Sequence, residues 1–505
     1  MKNLAEEPKK QKYSTKGATL RLVVQYFSVP EVSSDLSRKV AIIGLDSVPP
    51  ELMFTKLLDK LPNISRLYHS GLHGELETCD PPITIPAWMV MMTGKNPGRL
   101  GIYGFRHRKG HAYSDGYIVN STSVKERTVW EILGAHGKKS VVLGVPPSYP
   151  PRAIRGVESV SCFLTPSPER EFTSPPELKS EVLSASGGAY TFDVTFRTDN
   201  RETLKSQLFD MTRRRFDVAE HLAKSRPWDF FMMHEIGFDR LHHAFWKFFD
   251  PSHPKHVKGT QYEHIDEEYY RMVDERIGRM LELFGKDCLT FILSDHGSKG
   301  MQGAFCVNQW LSEQGYLKFR VQPAKITDVE KTDIDWDKTK AWGWGGYYAR
   351  IFFNVKGREP KGVIEPGELQ AEKAELGRRI MGITDDKGRV MKNSVLEPSE
   401  LYGVAEGDKP DLMVYFDDLN WRSAGTVGHD SNYLFENDTG PDDSVHSMKG
   451  IFLMADPKAD LGGRELKGAR IADMAPTLLE LYGIDKGELG EGVSGTPLKL
   501  WGEGN

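Results

Sequence analysis

The chain has 505 residues, with 66 Lys and Arg against 71 Asp and Glu, and therefore a formal net charge of −5. This balance gives no reason to expect a nucleic acid polymer as a partner, and no apolar run is long enough to span a membrane. The length is sufficient for a large core, built either as one α/β domain with an insertion or as two domains.

The start of the chain indicates a cytoplasmic protein, because it is rich in lysine but lacks the apolar segment of a signal peptide. The four cysteines are widely spaced and form no Cys-x-x-Cys pair, a pattern typical of reduced, mostly buried thiols: Cys79, Cys162, Cys288 and Cys306.

In chain order, the predicted elements follow a polar N-terminal extension. Residues 1–38 are expected to be partly disordered, although 20–27 could add an edge strand. From 39 to 318, helical stretches such as Glu267 to Phe284 alternate with apolar, strand-like runs at 39–46, 139–146, 228–234 and 289–294. This alternation predicts an α/β core with a mostly parallel central sheet flanked by helices.

The character of the sequence changes over 319–430, where we predict a smaller α+β cap inserted into the core. Charged and turn-forming residues lead into a strand at 349–354 and a helix from about Pro366 to Met381. The core then resumes over 431–505, with a strand at 450–455 and a helix at 473–481.

Two segments of this region have alternative interpretations. The glycine- and aromatic-rich stretch from Trp342 to Tyr348 could form a wall over a substrate or simply begin a strand of the core. The acidic loop from Gly425 to Val445 could be a mobile lid or a hydrated connection.

Hard metal ligands follow the strand-like runs. Asp46 comes directly after the first run, and Asp295 and His296 come after the run at 289–294. In open α/β sheets ligands bind beyond the carboxyl ends of the strands, although a carboxylate there can also cap the next turn.

A second set of ligands comes after the run at 228–234. Asp239 and His243 are four residues apart and would share one face of a helix. His446 precedes another strand and could be a third ligand or a surface loop histidine. The sequence thus supplies Asp46, Asp295 and His296 for one ion and a second triad for another, in a mixture of imidazole and carboxylate that suits zinc first and manganese second.

Thr84 is the candidate nucleophile. Pro86 fits the first turn of a helix and Gly94 fits its C-terminal cap, which places Thr84 at or near the N-cap. The N-terminus of a helix attracts anions, and a neighbouring divalent cation would activate the hydroxyl. A plain N-cap threonine is the alternative.

The ordered set of motifs resembles the alkaline phosphatase superfamily, and within it the type I phosphodiesterase/nucleotide pyrophosphatase branch. The resemblance runs from about residue 39 to about residue 498. It includes Gly-Leu-Asp46, Pro-Pro-Ile-Thr84-Ile-Pro-Ala-Trp, Asn96-Pro-Gly-Arg-Leu-Gly-Ile102, Asp239-x-x-x-His243, Ser-Asp295-His296-Gly, His446-x-x-x-Gly450 and Asp473-Met-Ala-Pro-Thr-Leu-Leu.

The resemblance implies an alkaline-phosphatase-like core and a role for each ligand. It places Asp46, Thr84, Asp295 and His296 on one metal ion and Asp239, His243 and His446 on the other, with Thr84 transiently phosphorylated. One departure bears on the substrate. Where nucleotide pyrophosphatases carry an asparagine that holds a phosphoryl oxygen, this chain has Phe105. Arg106, His107, Arg108 or Lys299 could replace that contact, or they could be solvated basic residues.

The prediction from sequence is a two-metal phosphodiesterase or phosphatase that acts on a small organic phosphate ester through a phosphothreonine. Both cations would neutralise charge on the transferring phosphoryl group. The alternatives are a phosphomutase or phosphotransferase of the same superfamily, or a metal-binding relative without turnover. A sulfatase is disfavoured, because Thr84 cannot become the formylglycine of those enzymes.

Overall fold

The computed structural model describes residues 38–501. Its α-helices are α1 (Pro62–Ser70), α2 (Thr84–Thr93), α3 (Pro97–Leu100), α4 (Val129–Ala135), α5 (Leu178–Ala185), α6 (Arg201–Ser225), α7 (Gly237–Phe249), α8 (Ile265–Phe284), α9 (Val307–Glu313), α10 (Leu369–Met381), α11 (Pro398–Tyr402) and α12 (Met474–Leu481). Short helical turns lie at Glu51–Lys56, Leu58–Lys60, Ser121–Ser123, Val329–Lys331, Pro366–Glu368, Ile471–Asp473 and Lys486–Leu489.

The strands begin with β1 (Lys39–Leu45), β2 (Leu72–Glu77), β3 (Arg106–Arg108), β4 (Gly116–Ile118), β5 (Ser140–Leu143), β6 (Val157–Val160), β7 (Thr173–Ser174), β8 (Phe230–Glu235), β9 (Cys288–Leu293), β10 (Gly297–Gly300), β11 (Gly303–Cys306) and β12 (Thr327–Asp328). They continue with β13 (Ala341–Trp344), β14 (Ala349–Phe353), β15 (Ser394–Leu396), β16 (Leu412–Tyr415), β17 (Trp421–Ala424), β18 (Thr426–Val427), β19 (Tyr433–Leu434), β20 (Ser444–Ser447), β21 (Lys449–Ala455), β22 (Arg464–Glu465) and β23 (Ala469–Arg470).

A ten-stranded sheet forms the centre of the part of the chain that the structure describes. Its strands lie in the order β22-β2-β21-β9-β1-β8-β5-β6-β7, with β23 paired beside β2. The central strands β9, β1, β8, β5 and β6 are parallel, whereas β21 is antiparallel to both β9 and β2. The prediction of a mostly parallel sheet flanked by helices is therefore confirmed.

The β1 strand shows why the sheet is buried on both faces. Its apolar residues alternate between two cores, with Ala41, Ile43 and Leu45 on one side and Val40 and Ile42 on the other. Helices α6, α7 and α8 pack on the first side, and α2, α4 and α12 pack on the second. The continuous apolar run in the sequence is what a strand covered by helices on both faces requires.

A separate core lies in the predicted cap region. Strands β13, β14, β16 and β15 form an antiparallel sheet, and Trp342, Phe352 and Leu376 belong to a third cluster of buried apolar residues. This cluster begins at Phe305, ahead of the expected start of the cap at 319. The domain boundaries at 318 and 430 remain predictions.

The structure bears on three further predictions, which concern the N-terminal extension, the start of α10 and membrane-spanning helices. The expected strand at 20–27 and the disorder of the N-terminal extension lie outside the described residues, apart from Arg38. The helix expected from Pro366 begins at Leu369, after a short turn. None of the helices within 38–501 combines the length and apolar character that crossing a membrane requires.

Candidate metal centre

The sheet brings the predicted ligands to one edge. β1 lies between β8 and β9 and parallel to both, so Asp46, the segment leading into α7, and Asp295 with His296 all emerge at the carboxyl ends of neighbouring strands. Helix α7 places Asp239 and His243 on one face, one turn apart. β20, paired with β10, brings in His446 from the far end of the chain.

The ligand atoms converge in two groups that share Asp239. One group is Asp239, His243 and His446, and the other is Asp46, Asp239 and His296; within each group the atoms lie within 4.8 Å of one another. Oδ1 of Asp239 is 3.2 Å from Nε2 of His243 and 3.6 Å from Nε2 of His446. The sequence predicts Asp295 beside Asp46 and His296, and its Oδ2 lies 3.3 Å from Nε2 of His296.

Hydrogen bonds on the outer side of each imidazole fix its orientation. Nδ1 of His296 faces the Gly297 carbonyl oxygen at 3.1 Å, and Nδ1 of His446 faces the Pro82 carbonyl oxygen at 2.6 Å. A carbonyl can only accept, so each Nδ1 carries the proton and each Nε2 presents a lone pair to the centre. Metal-binding histidines in proteins are held in this way.

The carboxylates fit divalent cations. Several buried ligand atoms have no hydrogen-bond partner among the described residues, namely Asp46 Oδ1, Asp239 Oδ1, Asp295 Oδ2 and His446 Nε2. Buried polar atoms are almost always partnered, so a cluster of such atoms aimed at one point is chemically suited to bind cations. Mixed nitrogen and oxygen donors suit zinc or manganese.

The electrostatics of the centre support the same conclusion. Burial and repulsion from Asp46 raise the pKa of the Asp295 carboxyl well above its usual range. Burial also opposes ionisation of Asp239, but His243, His446 and Arg240 together more than offset it and lower the pKa of that carboxyl. Burial and the neighbouring His446 lower the pKa of His296 to about 3, which keeps its ring neutral and able to bind a metal.

Asp46 is held by two side chains that the sequence analysis did not identify. Its Oδ2 accepts a hydrogen bond from Nε1 of Trp88 at 3.0 Å and lies 2.7 Å from Nε2 of His234. With Oδ2 engaged, Oδ1 is left for the centre. His234 lies within the apolar run that forms β8. Apart from its polar side chain, the sequence contains no signal that it contacts Asp46.

His243 is supported by the loop that was predicted to be a lid or a hydrated connection. Asp442 is fully buried, and its Oδ1 lies 2.7 Å from Nδ1 of His243. Its Oδ2 accepts from Arg197 at 3.1 Å and also pairs with Arg422. This end of the loop is therefore anchored in the core, whereas Asp430 is exposed.

Thr84 is the first residue of α2 rather than its cap. The N-cap is Ile83, which is extended at φ −126° and ψ 133° and makes no side-chain capping bond. The buried Thr84 hydroxyl oxygen lies 3.3 Å from Nε2 of His296, so it faces the ligand set. Gly94 ends the helix in the left-handed conformation, as predicted, with φ 68°.

A cavity of about 430 Å³ lies between the core and the cap, and some of the predicted substrate-binding residues line it. Phe105 and Arg106 line it, together with Ile83 beside Thr84. The stretch from Gly343 to Tyr348 forms another wall, and the Tyr347 ring stacks on His446 with 4.0 Å between centroids. Tyr347 thus connects the cavity to the ligand set.

The other predicted substrate-binding residues do not line this cavity. Arg108 is buried in ion pairs with Asp408 at 2.8 Å and Glu359 at 3.4 Å. The Lys299 ammonium donates to the Asp418 carbonyl oxygen. Neighbouring His107 is also buried, and its Nε2 accepts from the Tyr103 N–H at 3.2 Å.

Comparison with known proteins identifies the family. The family model for type I phosphodiesterase/nucleotide pyrophosphatase matches residues 40–442. The chain therefore belongs to this family, within the alkaline phosphatase superfamily. No curated protein is a significant match to the chain.

Solved structures share the fold. Phosphonoacetate hydrolase from Sinorhizobium meliloti 1021, in complex with phosphonoformate, aligns with a TM-score of 0.57 and 13% identity over 88% of this chain and 96% of that chain. An inactive variant of murine ectonucleotide pyrophosphatase/phosphodiesterase 5, in complex with AMP, has a TM-score of 0.53 and 12% identity over 89% and 96% of the two chains. The human form of that protein gives 0.51 and 13% over 88% and 95%.

Proposed function

We propose that this family member is a phosphoric ester hydrolase that works through a phosphothreonine at Thr84 and two divalent cations. The observation that carries the proposal is the position of the Thr84 hydroxyl. It is buried at the start of α2, it does not cap the helix, and it lies 3.3 Å from Nε2 of His296. Membership of the type I phosphodiesterase/nucleotide pyrophosphatase family supports this chemistry.

The cations, zinc first and manganese second, would be held by Thr84 and six further side chains: Asp46, Asp239, His243, Asp295, His296 and His446. Bound there, they would favour ionisation of the Thr84 hydroxyl and neutralise charge on the transferring phosphoryl group. The chain's own contribution is orientation. Trp88 and His234 hold Asp46, and Asp442 holds His243.

The proposed reaction has two balanced halves. In the first, a bond forms between Thr84 Oγ1 and phosphorus while the bond from phosphorus to the ester oxygen breaks; the threonine loses its hydroxyl proton and the departing alcohol gains one. In the second, the oxygen of water bonds to phosphorus, the threonine ester breaks and Thr84 regains its proton. N–H groups in the first turn of α2 lack intrahelical partners and are suited to binding phosphoryl oxygens.

The proposed substrate is a small organic phosphate ester. The cavity of about 430 Å³ beside Tyr347 lies within the size range of small-molecule sites. Two of the similar structures contain AMP and phosphonoformate, which are small phosphorus-containing ligands. Monoesters and diesters remain alternatives, which aryl phosphomonoesters and diesters assayed side by side on the zinc- and manganese-loaded protein would distinguish.

Substitution of Thr84 tests the proposal. We expect Thr84→Ala to bind metal as the wild type does yet to lose at least about 10³-fold in turnover, because no hydroxyl remains to accept the phosphoryl group. Thr84→Ser should keep measurable activity. Acid quench and mass spectrometry should find a phosphate adduct on the wild-type peptide that contains Thr84, and none in the alanine variant.

Thr93 supplies the matched control. It is a fully buried threonine at the other end of α2, where its hydroxyl donates to the Met89 carbonyl oxygen at 2.6 Å. Thr93→Ala should leave turnover close to the wild-type rate. Near-wild-type turnover by Thr84→Ala would show that Thr84 is not the nucleophile, and clean isomerisation of a phosphate ester without phosphate release would favour the mutase alternative.

A further inference from the structure

Arg350 lines the cavity between core and cap without an acidic partner. It lies on β14, is only 8% exposed, and forms no ion pair with any carboxylate in residues 38–501. Its one hydrogen bond within that part of the chain runs from Nη1 to the Arg106 carbonyl oxygen. Buried guanidinium groups are normally paired with an anion, so this one has unused capacity.

Each of the other arginines that line the cavity pairs with a carboxylate. Arg106 donates to both carboxylate oxygens of Glu330 at 3.3 Å. Arg197 and Arg422 both pair with Asp442. Arg350 therefore differs from the other arginines of the cavity in forming no ion pair with a carboxylate in the part of the chain that the structure describes.

The surroundings of Arg350 leave its guanidinium open to the cavity. The group lies over the Trp344 ring, 5.1 Å from the centroid, which holds the side chain in position. On another side is Gly104, where even a Cβ would come no closer than 3.9 Å to Nη1. Burial lowers the pKa of Arg350; Tyr348 and Asp408 offset part of this effect, and repulsion from Arg106 and Arg108 adds to it. A bound anion would favour the charged form of Arg350.

The same cavity reaches the proposed site of chemistry. Ile83, which precedes Thr84, and Tyr347, whose hydroxyl lies 3.1 Å from Nε2 of His243, line it together with Arg350. Arg350 comes three positions after Tyr347 in the chain, so their Cα atoms are at most about 10 Å apart. A compact molecule can therefore contact both ends.

We propose that Arg350 binds a second oxyanion of the substrate, a carboxylate or phosphate on the part of the molecule remote from the ester that is cleaved. The proposal rests on the proposed function and adds a substrate class to it: small phosphate esters with two anionic ends. The planar guanidinium can bind such a group through two parallel hydrogen bonds, which a lysine would not reproduce.

Paired substrates test this proposal. The first series consists of carboxyalkyl phosphates of increasing chain length. The second consists of the corresponding carbamoylalkyl phosphates, which have the same shape without the second charge. Alkyl bisphosphates form a third series. At the best chain length we expect kcat/KM of the wild type to favour a doubly anionic ester over the amide by roughly 10- to 100-fold. A higher kcat/KM for the carboxyalkyl phosphates would identify a carboxylate as the oxyanion that Arg350 binds, and a higher kcat/KM for the bisphosphates would identify a phosphate.

Variants of Arg350 test whether this residue causes the preference for the doubly anionic ester. In Arg350→Met the ratio of kcat/KM values should fall to about one, and in Arg350→Lys it should be intermediate, because charge remains without the bidentate geometry. Arg320→Met, at a half-exposed arginine of the cap that pairs with Asp337, should keep the wild-type ratio. A ratio that is near one in the wild type, or unchanged in Arg350→Met, would overturn the proposal.

A binding measurement separates this inference from the hydrolase proposal. If neither these monoesters nor the aryl phosphodiesters are cleaved, the hydrolase proposal fails. Calorimetry with non-hydrolysable carboxyalkyl and carbamoylalkyl phosphonates then tests Arg350 alone. Tighter binding of the carboxylates by the wild type but not by Arg350→Met would support the subsite. Equal affinity for both phosphonates in the wild type would reject it. Matching thermal transitions would exclude misfolding of the methionine variant, and the lysine variant provides a second folded comparison.

Discussion

The two oxygens of the Asp46 carboxylate have different surroundings. Oδ2 is fixed by Trp88 and His234, whereas Oδ1 has no partner among the described residues. A carboxylate held in this way is oriented before any ion arrives, so less conformational freedom is lost on binding. The residues around the ligands are therefore part of the candidate site.

Removing His234 should weaken metal binding without removing a ligand. We expect His234→Ala to lower zinc affinity by roughly 10- to 100-fold, since Asp46 would lose one of its two supports. Competition with a chromogenic chelator measures this. His107→Ala is the control, because that equally buried histidine bonds the Tyr103 backbone instead. Unchanged affinity in His234→Ala would mean that Trp88 alone positions Asp46.

The candidate ligands can be found in the sequence more readily than the side chains that hold them in place. Asp46, Asp295 and His296 follow apolar strands, and that local pattern can be found without a structure. His234 is 188 residues from Asp46, and Asp442 is 199 residues from His243. No local pattern connects such pairs, so those contacts could be found only once the strands and loops were placed.

At the level of elements, the packing of β1 against α2 joins the fold to the candidate site. Gly44 lies two residues before Asp46, and the Trp88 ring of α2 packs directly over it. A Cβ at Gly44 would be 2.5 Å from Trp88 Cη2 and 3.1 Å from the Met233 carbonyl oxygen. Trp88 can reach Asp46 only because this position of the strand has no side chain.

Gly44→Ala should therefore affect both stability and the site. We expect overpacking to lower the free energy of unfolding by about 1–3 kcal/mol and the displaced Trp88 to weaken metal binding. Gly367→Ala is the control, since its Cβ would meet no atom within 4 Å, and its effect should be about 0.5 kcal/mol or less. Urea unfolding and metal titration of both variants measure these effects. Wild-type values for Gly44→Ala would show that Trp88 can move without consequence.

Individual strands and helices could be predicted wherever a local pattern of apolar residues marks them. The β-branched runs near 39–46 and 289–294 became β1 and β9, and the amphipathic stretch to Phe284 became α8. The order of strands was not predictable in this way. The antiparallel insertion of β21 between β9 and β2 depends on pairing between distant segments, which periodicity does not encode.

For the molecule as a whole, the buried carboxylates of Asp46, Asp239 and Asp295 predict that metal stabilises the fold. A cation that binds only the folded chain adds about 4 kcal/mol at a thousand times its dissociation constant. We expect chelation to lower the thermal midpoint and zinc or manganese to restore it, with about two ions per chain by elemental analysis. Asp295→Asn should reduce both the ion content and the restoration. A folded protein that retains no transition metal would contradict the two-cation proposal.

The whole molecule should also lose stability in mild acid, and His107 allows the effect to be measured apart from the candidate metal centre. Burial and the nearby Arg350 together lower the pKa of His107 to about 4, although Asp408 offsets part of their effect. Its Nε2 accepts from the Tyr103 N–H, so protonation there would break that bond. Below an unfolded pKa of about 6.5 the unfolded chain therefore binds a proton that the folded chain excludes.

Stability should consequently fall as the pH drops from about 6.5 towards 4, with His107 accounting for about 2 kcal/mol between pH 7 and pH 5. His107→Gln keeps an acceptor for the Tyr103 N–H without a titrating group, so it should lose that much less over the same interval. Urea unfolding at both pH values measures the difference, with exposed His69→Gln as the control that should keep the wild-type slope. The same acid sensitivity in His107→Gln and wild type would mean that His107 is able to take up a proton in the folded protein, against what its burial and its bond to Tyr103 require.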